Sequence, residues 1–242
     1  MKKSSIKIYI HSVTLGFQTR EPLETIKMIL IALVDIVEDK LKGINAHEFV
    51  DAKSESNGKL SSSFANFYQP VRSIPFRKLF KELKLPTNGT FVDIGAGTGK
   101  AMLLALELGF KRTKGVELVQ KLVEVAQVNM QKYHLRHDEF NCICRDALEY
   151  EFEDDDSVFF FNDPFSDEVF SRFIDNLKRF IDKKKTPIIL IYKNNSMRSI
   201  QSFNNLAKTN KYKTINIWGN FFEVIWITSI INTEHEFMIS NQ

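Results

Sequence analysis

The sequence predicts an α/β fold: a seven-stranded, mostly parallel sheet with helices on both faces, a C-terminal antiparallel hairpin and an N-terminal helical extension. Three observations predict it. From residue 90 onward, short apolar runs alternate with amphipathic stretches, the pattern of repeated βαβ units. A glycine-rich turn closes the first of those runs and opens a helix. The last two runs have no helical stretch between them, only the tight turn Trp218-Gly219-Asn220, so they pair as a hairpin.

Residues 1–60 read as an extension and residues 61–242 as the main domain. Ile6–Ile10 suits a short strand. Residues 22–41 read as a helix. Pro22 stands at a first helical position, and Gly43 suits the exit. Leu23, Ile26, Leu30, Leu33, Val37 and Leu41 recur near 3.6-residue spacing. That stripe needs a partner surface, either the main domain or a second copy of the chain, so the helix is a candidate homodimer contact. The polar stretch Asp51–Ser63 reads as a connector or lid.

In the main domain a helix is expected over Val71–Leu83, then a turn at Pro86–Gly89. Strands are expected at Thr90–Ile94, Thr113–Val116, Phe140–Cys144, Val158–Phe161, Pro187–Tyr192, Thr214–Trp218 and Phe221–Ile227. Helices are expected at Gly99–Leu108, Val119–Tyr133, Asp167–Ile181 and Met197–Ala207.

Composition narrows the function classes. A net charge of +3 in 242 residues is too small to argue for nucleic acid, and the run Lys183–Lys185 suits a solvated helix end. The 21 phenylalanines foretell an aromatic core. Cys142 and Cys144 sit at i and i+2 of one strand, on one face and too far apart to bridge easily, so both are expected buried and free. The apolar segment Met28–Val34 is too short to span a bilayer, and the first residues lack a secretory pattern, so a cytoplasmic location is expected. Asp154, Asp155 and Asp156 read as a solvated loop. His134 and His137 have no third ligand nearby, and no metal site is expected.

The chemistry concentrates at Val92-Asp-Ile-Gly-Ala-Gly-Thr-Gly99. A helix opening at Gly99 turns its free N–H groups and partial positive charge toward the loop, which suits an anion or carboxylate. A triphosphate loop needs Ser or Thr after its lysine; Ala101 follows Lys100, and the glycine gap is one residue short. A dinucleotide loop reads G-x-G-x-x-G; here Gly95, Gly97 and Gly99 give the tighter G-x-G-x-G, which disfavours a pyrophosphate without excluding it. At the end of the next strand stands Glu117, 22 residues after Gly95, where a carboxylate can accept both hydroxyls of a ribose.

Asp93-Ile-Gly-Ala-Gly-Thr-Gly99 resembles the first motif of the class I, Rossmann-like S-adenosylmethionine-dependent methyltransferases. Asp146-Ala147 follows the third strand and Asn162-Asp163-Pro164-Phe165 the fourth, stations that family also uses. Tyr68-Gln-Pro70 ahead of the domain, with Asn162-Asp-Pro-Phe165, resembles a bacterial group of such proteins. The order of glycine loop, Glu117 and Asn162-x-x-Phe165 also resembles the non-SET histone lysine methyltransferases.

The resemblance implies S-adenosylmethionine as cofactor. Gly95, Ala96, Gly97 and Gly99 then face its methionine part, with Asp93 ordering the loop or meeting the ammonium. Glu117 takes the ribose, and Asp146 and Ala147 lie at the adenine. Asn162 borders both cofactor and acceptor. Asn162, Asp163 and Tyr68 are the catalytic candidates, and Phe165 a stacking surface for substrate. Asp163 stands where planar-amine methyltransferases carry proline. The acceptor expected is a small molecule or protein side chain, with an amine as one candidate class; a nucleic-acid base ranks lower, and a non-catalytic assembly subunit is the reading from another class. No membrane partner is implied.

Overall fold

The computed structural model describes residues 22–46, 70–181, 187–193, 201–217 and 220–227. The expected strand at Ile6–Ile10, the polar stretch Asp51–Ser63, Tyr68, the lysine run 183–185 and the turn residues Trp218 and Gly219 lie outside them.

Helix α1 spans Pro22–Leu41 and α2 spans Ser73–Leu83; β1 (Thr90–Ile94), α3 (Lys100–Glu107), β2 (Arg112–Glu117), α4 (Gln120–Lys132) and β3 (Phe140–Cys144) follow. Next come a 3₁₀ turn at Ala147–Glu149, β4 (Asp156–Phe161), α5 (Asp167–Ile181), β5 (Ile188–Lys193), α6 (Gln201–Ala207), β6 (Lys211–Ile217) and β7 (Asn220–Ile227). The strands order as β3-β2-β1-β4-β5-β7-β6. Strands β3, β2, β1, β4 and β5 run parallel, and β7 pairs antiparallel with both β5 and β6. The hairpin follows from the chain: with no helix to carry it across, β7 must return beside β6, in register from Ile217 against Asn220.

The central strands read as unbroken apolar runs because both faces are covered. In β4, Phe159 and Phe161 point to one side and Phe160 to the other, since side chains alternate along a strand. Phe159 and Phe161 pack with Phe170 and Phe173 of α5, whose apolar residues recur at helical spacing on one face. Phe160 meets Phe76 edge-on at 5.2 Å and lies flat along Phe91 at 6.0 Å. Each such ring contributes about 1.5–3 kcal/mol by leaving water, and edge-to-face pairs add to it.

One open alternative is narrowed, for α1, and two expectations are corrected, for Cys144 and Asp156. The stripe on α1 does not meet the main domain: Leu23, Ile26, Leu30, Leu33, Val37 and Leu41 are exposed, and Thr25, Asp35 and Asp39 are buried instead. The charged side won because a basic site on the domain, Lys100, receives it. Cys142 is buried but Cys144 is exposed, since it ends β3 at the sheet's edge; both are free. Asp156 is fully buried rather than solvated: it accepts hydrogen bonds from Tyr150 (2.9 Å), Lys114 (3.0 Å) and the backbone N–H of Glu153 (2.8 Å). That network closes the end of the sheet opposite the candidate site. Of the helix expected over Met197–Ala207, residues 197–200 lie outside the described residues, and α6 covers the rest, Gln201–Ala207.

Among the described residues, no helix is long and apolar enough to cross a membrane, and no three His, Cys, Asp or Glu side chains cluster as metal ligands.

Candidate active site

Strands β1 and β4 are neighbours, but the chain leaves β1 toward β2 and leaves β4 toward β5. Such a reversal opens a crevice beyond the carboxyl ends of the two strands, where open sheets hold ligands. Four segments converge on it: the loop 95–99 after β1, Glu117 at the end of β2, Asp146 after β3 and residues 162–165 after β4.

The loop is a tight, hydrogen-bonded turn. The N–H groups of Gly95 and Ala96 both donate to the Val116 carbonyl, at 2.8 and 3.1 Å, and Gly99 N–H donates to Ala96 at 2.9 Å. Gly95 has φ +81°, and a Cβ there would stand 2.5 Å from Cβ of Pro164. Gly99 has φ +78°, and a Cβ there would stand 2.8 Å from Cζ of Phe140. Both positions therefore require glycine for conformation and for space.

Glu117 is buried and already engaged with the loop. Its Oε2 accepts from Gly97 N–H at 2.8 Å and its Oε1 from Val119 N–H at 3.0 Å. Burial raises its carboxyl above the usual range, while the backbone donors of Val119, Gly97 and Leu118 pull the other way. A carboxylate offers about four lone-pair sites, so ligand hydroxyls can still be received there. Asp93 is buried beside it, and its Oδ1 has no hydrogen-bond partner. Burial, then the nearby charge of Glu117, pushes the Asp93 carboxyl well up. A buried acceptor left unpaired is costly and calls for a donor. The site thus fits a ligand that brings hydroxyls and a cationic ammonium group, as S-adenosylmethionine does.

Asp146 is buried, and its Oδ1 accepts from Leu148 N–H at 2.9 Å, capping the turn that begins at Ala147. Asn162 is half-buried, directly after the end of β4. Asp163 adopts φ +50°, a left-handed conformation that aspartate tolerates. Its Oδ1 accepts from the hydroxyl of Tyr192, on β5, at 2.9 Å. Tyr192 thus ties the Asp163 carboxylate to the sheet through one of its oxygens. Phe165 is placed more deeply than a stacking surface at the acceptor would need. Its ring is 6% exposed and meets Phe161 edge-on at 6.3 Å, so it packs in the core and offers little face to a substrate.

Three residues with a hand in the site were missed in the sequence. Lys100 begins α3 directly behind the loop, is 2% exposed, and places its Nζ 2.8 Å from Asp39 and 3.2 Å from Asp35. Asn129, fully buried on α4, donates to the carbonyls of Thr98 (3.0 Å) and Asn45 (3.3 Å) and accepts from Asn45 N–H (2.9 Å). Tyr192 is the third. Asp35 and Asp39 are two acids one helical turn apart, on the face opposite the leucines, a pattern that marks a charged face of α1 without naming its partner. Through Lys100 and Asn129, the N-terminal helix and the turn after it are fastened to the back of the glycine loop.

A family model described as "Histone methylation protein DOT1" matches residues 59–173, a span that holds the loop, Glu117, Asp146 and Asn162–Phe165. No curated protein matches the chain. Among solved structures, a Methanococcus maripaludis protein described as a "putative s-adenosyl-l-methionine-dependent methyltransferase" superposes with a TM-score of 0.51 at 15% identity, over 63% of this chain and 83% of that one. The ribosomal protein L11 methylase of Lactobacillus delbrueckii subsp. bulgaricus does so at 0.50 and 14% identity, over 68% and 90%. At these identities the likeness is one of fold, and the fold is that of the Rossmann-like methyltransferases.

Proposed function

We propose that this chain, an S-adenosylmethionine-dependent methyltransferase by fold and by family match, transfers the methyl group to an amine on a protein side chain. The observation that carries the acceptor class is the match to a histone-methylation family over the span that contains all four site segments.

In this reading the loop 95–99 seats the methionine part, Asp93 receives the ammonium, Glu117 the ribose hydroxyls and Asp146 with Ala147 the adenine edge. The cofactor supplies a methyl carbon already activated by its sulfonium. The protein's work is to align the acceptor nitrogen and keep water out, and alignment is worth roughly 7–11 kcal/mol. The amine must be neutral, because its lone pair forms the new bond; its proton leaves to water. Asn162, at the mouth, is the group placed to receive the amine N–H. Asp163, held by Tyr192, is a positioning residue that fixes the turn carrying Asn162.

The test is methyl transfer from labelled cofactor to a protein mixture and, separately, to RNA, with hydrolysis to identify the methylated unit. Label recovered as N-methyl lysine supports the proposal. Label confined to RNA overturns the acceptor class. Absence of cofactor binding in a calorimetric titration overturns the site itself.

A further inference from the structure

Helix α1 is fixed to its own domain by charge and turns its apolar side to solvent. Of nine large hydrophobic side chains exposed among the described residues, seven lie on α1. Its inner side carries Asp35 and Asp39 on Lys100, and Glu38 on Arg77 and Lys42. This reverses the usual amphipathic arrangement.

The outer face has a narrower pattern than a core-facing stripe. Leu23, Ile26, Leu30, Leu33 and Val37 follow at intervals of 3, 4, 3 and 4, the a/d seam of one helix against another. With Val34 and Leu41 beside it, the face exposes on the order of 700 Å², above the roughly 300–600 Å² of the largest patch on a typical monomer. Two such faces together would bury about 1,400 Å², within the size of a stable specific interface.

We infer that a second copy of this chain docks on this face, its α1 antiparallel to the first. The orientation follows from Lys40, the next seam position. A parallel pair would stack Lys40 on the partner's Lys40, like charges in the seam. An antiparallel pair sets Leu30 against the partner's Leu33, sets Ile26 against the partner's Val37, and leaves Lys40 at the rim beside the partner's Leu23. It also opposes the two helix dipoles favourably. The contact lies one helix diameter, about 10 Å, from Lys100 and the glycine loop behind it.

Light scattering and sedimentation of the full chain at micromolar concentration test this. The expected mass is twice 28.1 kDa. Leu30→Glu with Leu33→Glu should weaken association at least tenfold with helix content unchanged, since both side chains point outward. Leu30→Glu with Leu33→Lys should restore it, because the antiparallel register then sets opposite charges against each other. A monomeric native chain overturns the inference, as does a dimer that survives the double glutamate change. A monomer that becomes a dimer when residues 1–21 are removed assigns the face to that segment instead, and also overturns it. Should the charged variant fail to fold, hydrogen exchange of the native chain at two concentrations decides: slower exchange in α1 at the higher one supports the dimer, and equal exchange overturns it.

Discussion

The ammonium of Lys100 lies 2.8 Å from the carboxylate of Asp39 at a place where both side chains are almost wholly buried. Asp35 shares the same ammonium at 3.2 Å and also accepts from Ser73 N–H, so a single buried cation ties α1, α2 and α3 together. Breaking one side of such a cluster costs about 3–5 kcal/mol, because the remaining charges stay buried. Lys100→Met should therefore lower stability by about that much. Lys100→Met together with Asp35→Asn and Asp39→Leu should cost clearly less. Denaturant unfolding of the two variants checks the difference.

Glu117 both orders the glycine loop and, in the proposed reading, receives the ribose. Glu117→Ala should weaken cofactor binding at least tenfold, about 1.4 kcal/mol or more. It also leaves the N–H groups of Gly97 and Val119 without their acceptor, at about 1–3 kcal/mol of stability. Calorimetric titration measures the first effect and thermal unfolding the second. Unchanged affinity would remove Glu117 from the cofactor site.

Gly99 cannot carry a side chain without strain. Gly99→Ala adds about 1–2 kcal/mol for the left-handed backbone, and its Cβ runs into the ring of Phe140. The expected result is a chain that folds with a lower melting temperature and binds cofactor poorly. The matched control is Gly109→Ala: it too has a positive φ, but its nearest neighbour stands at 3.7 Å, and it lies away from the site. It should lose stability without losing affinity.

Two groups of carboxylates set opposite pH dependences. Asp93 and Glu117 hold their protons to higher pH in the folded chain than in the unfolded one. The unfolded chain thus releases those protons first, and stability falls as pH rises from about 4 through the raised folded values. Glu38 behaves inversely. Its hydrogen bond from Arg77 leads the ion pairing that holds its carboxyl at about 2, so its contribution is present above 4.5 and lost as pH falls toward 2. Melting temperatures of native protein and Asp93→Asn should converge at low pH, with the variant more stable near neutrality. If the cofactor's ammonium meets Asp93, binding should release protons. Titrations in buffers of different ionisation enthalpy would register that release, and Asp93→Asn should remove it.

Tyr192→Phe separates positioning from binding. It deletes the hydroxyl that donates to Asp163 and should cost about 1–3 kcal/mol by leaving a buried acceptor short of a donor. Cofactor affinity should stay within twofold while turnover falls, because the turn carrying Asn162 is loosened. Asp163→Asn should follow the same pattern. A loss of affinity with unchanged turnover would move Asp163 into the cofactor pocket.

The fold was legible in the sequence because periodicity and glycine punctuation speak through local chemistry. Strand β1 and helix α5 begin and end where the pattern places them, and the absence of a helix before β7 announced the antiparallel pair. The site was legible in part. The glycines and Glu117 sit at strand ends, a rule that needs only chain order. What escaped was decided by contacts between residues far apart in the chain. Lys100 served in the sequence only to exclude a triphosphate loop, since nothing local says that two acids 61 and 65 positions earlier will bury it. The direction of α1 was lost for the same reason: counting leucines finds a stripe, but which side faces inward depends on where the domain keeps its cation. The hydrogen bond of Tyr192 to Asp163 lay beyond local reading too, because the hydroxyl stands on another strand.

Gly95 has a further consequence through Pro164. The space its missing Cβ leaves is occupied by that proline, so the turn after β1 and the turn after β4 are meshed like two teeth of one gear. Neither can shift alone without opening a gap or forcing an overlap. In the proposed reading, a change of methyl acceptor could hardly come from reshaping these two turns. The freedom lies in the walls around them, and the meshed pair is the part that has to stay fixed.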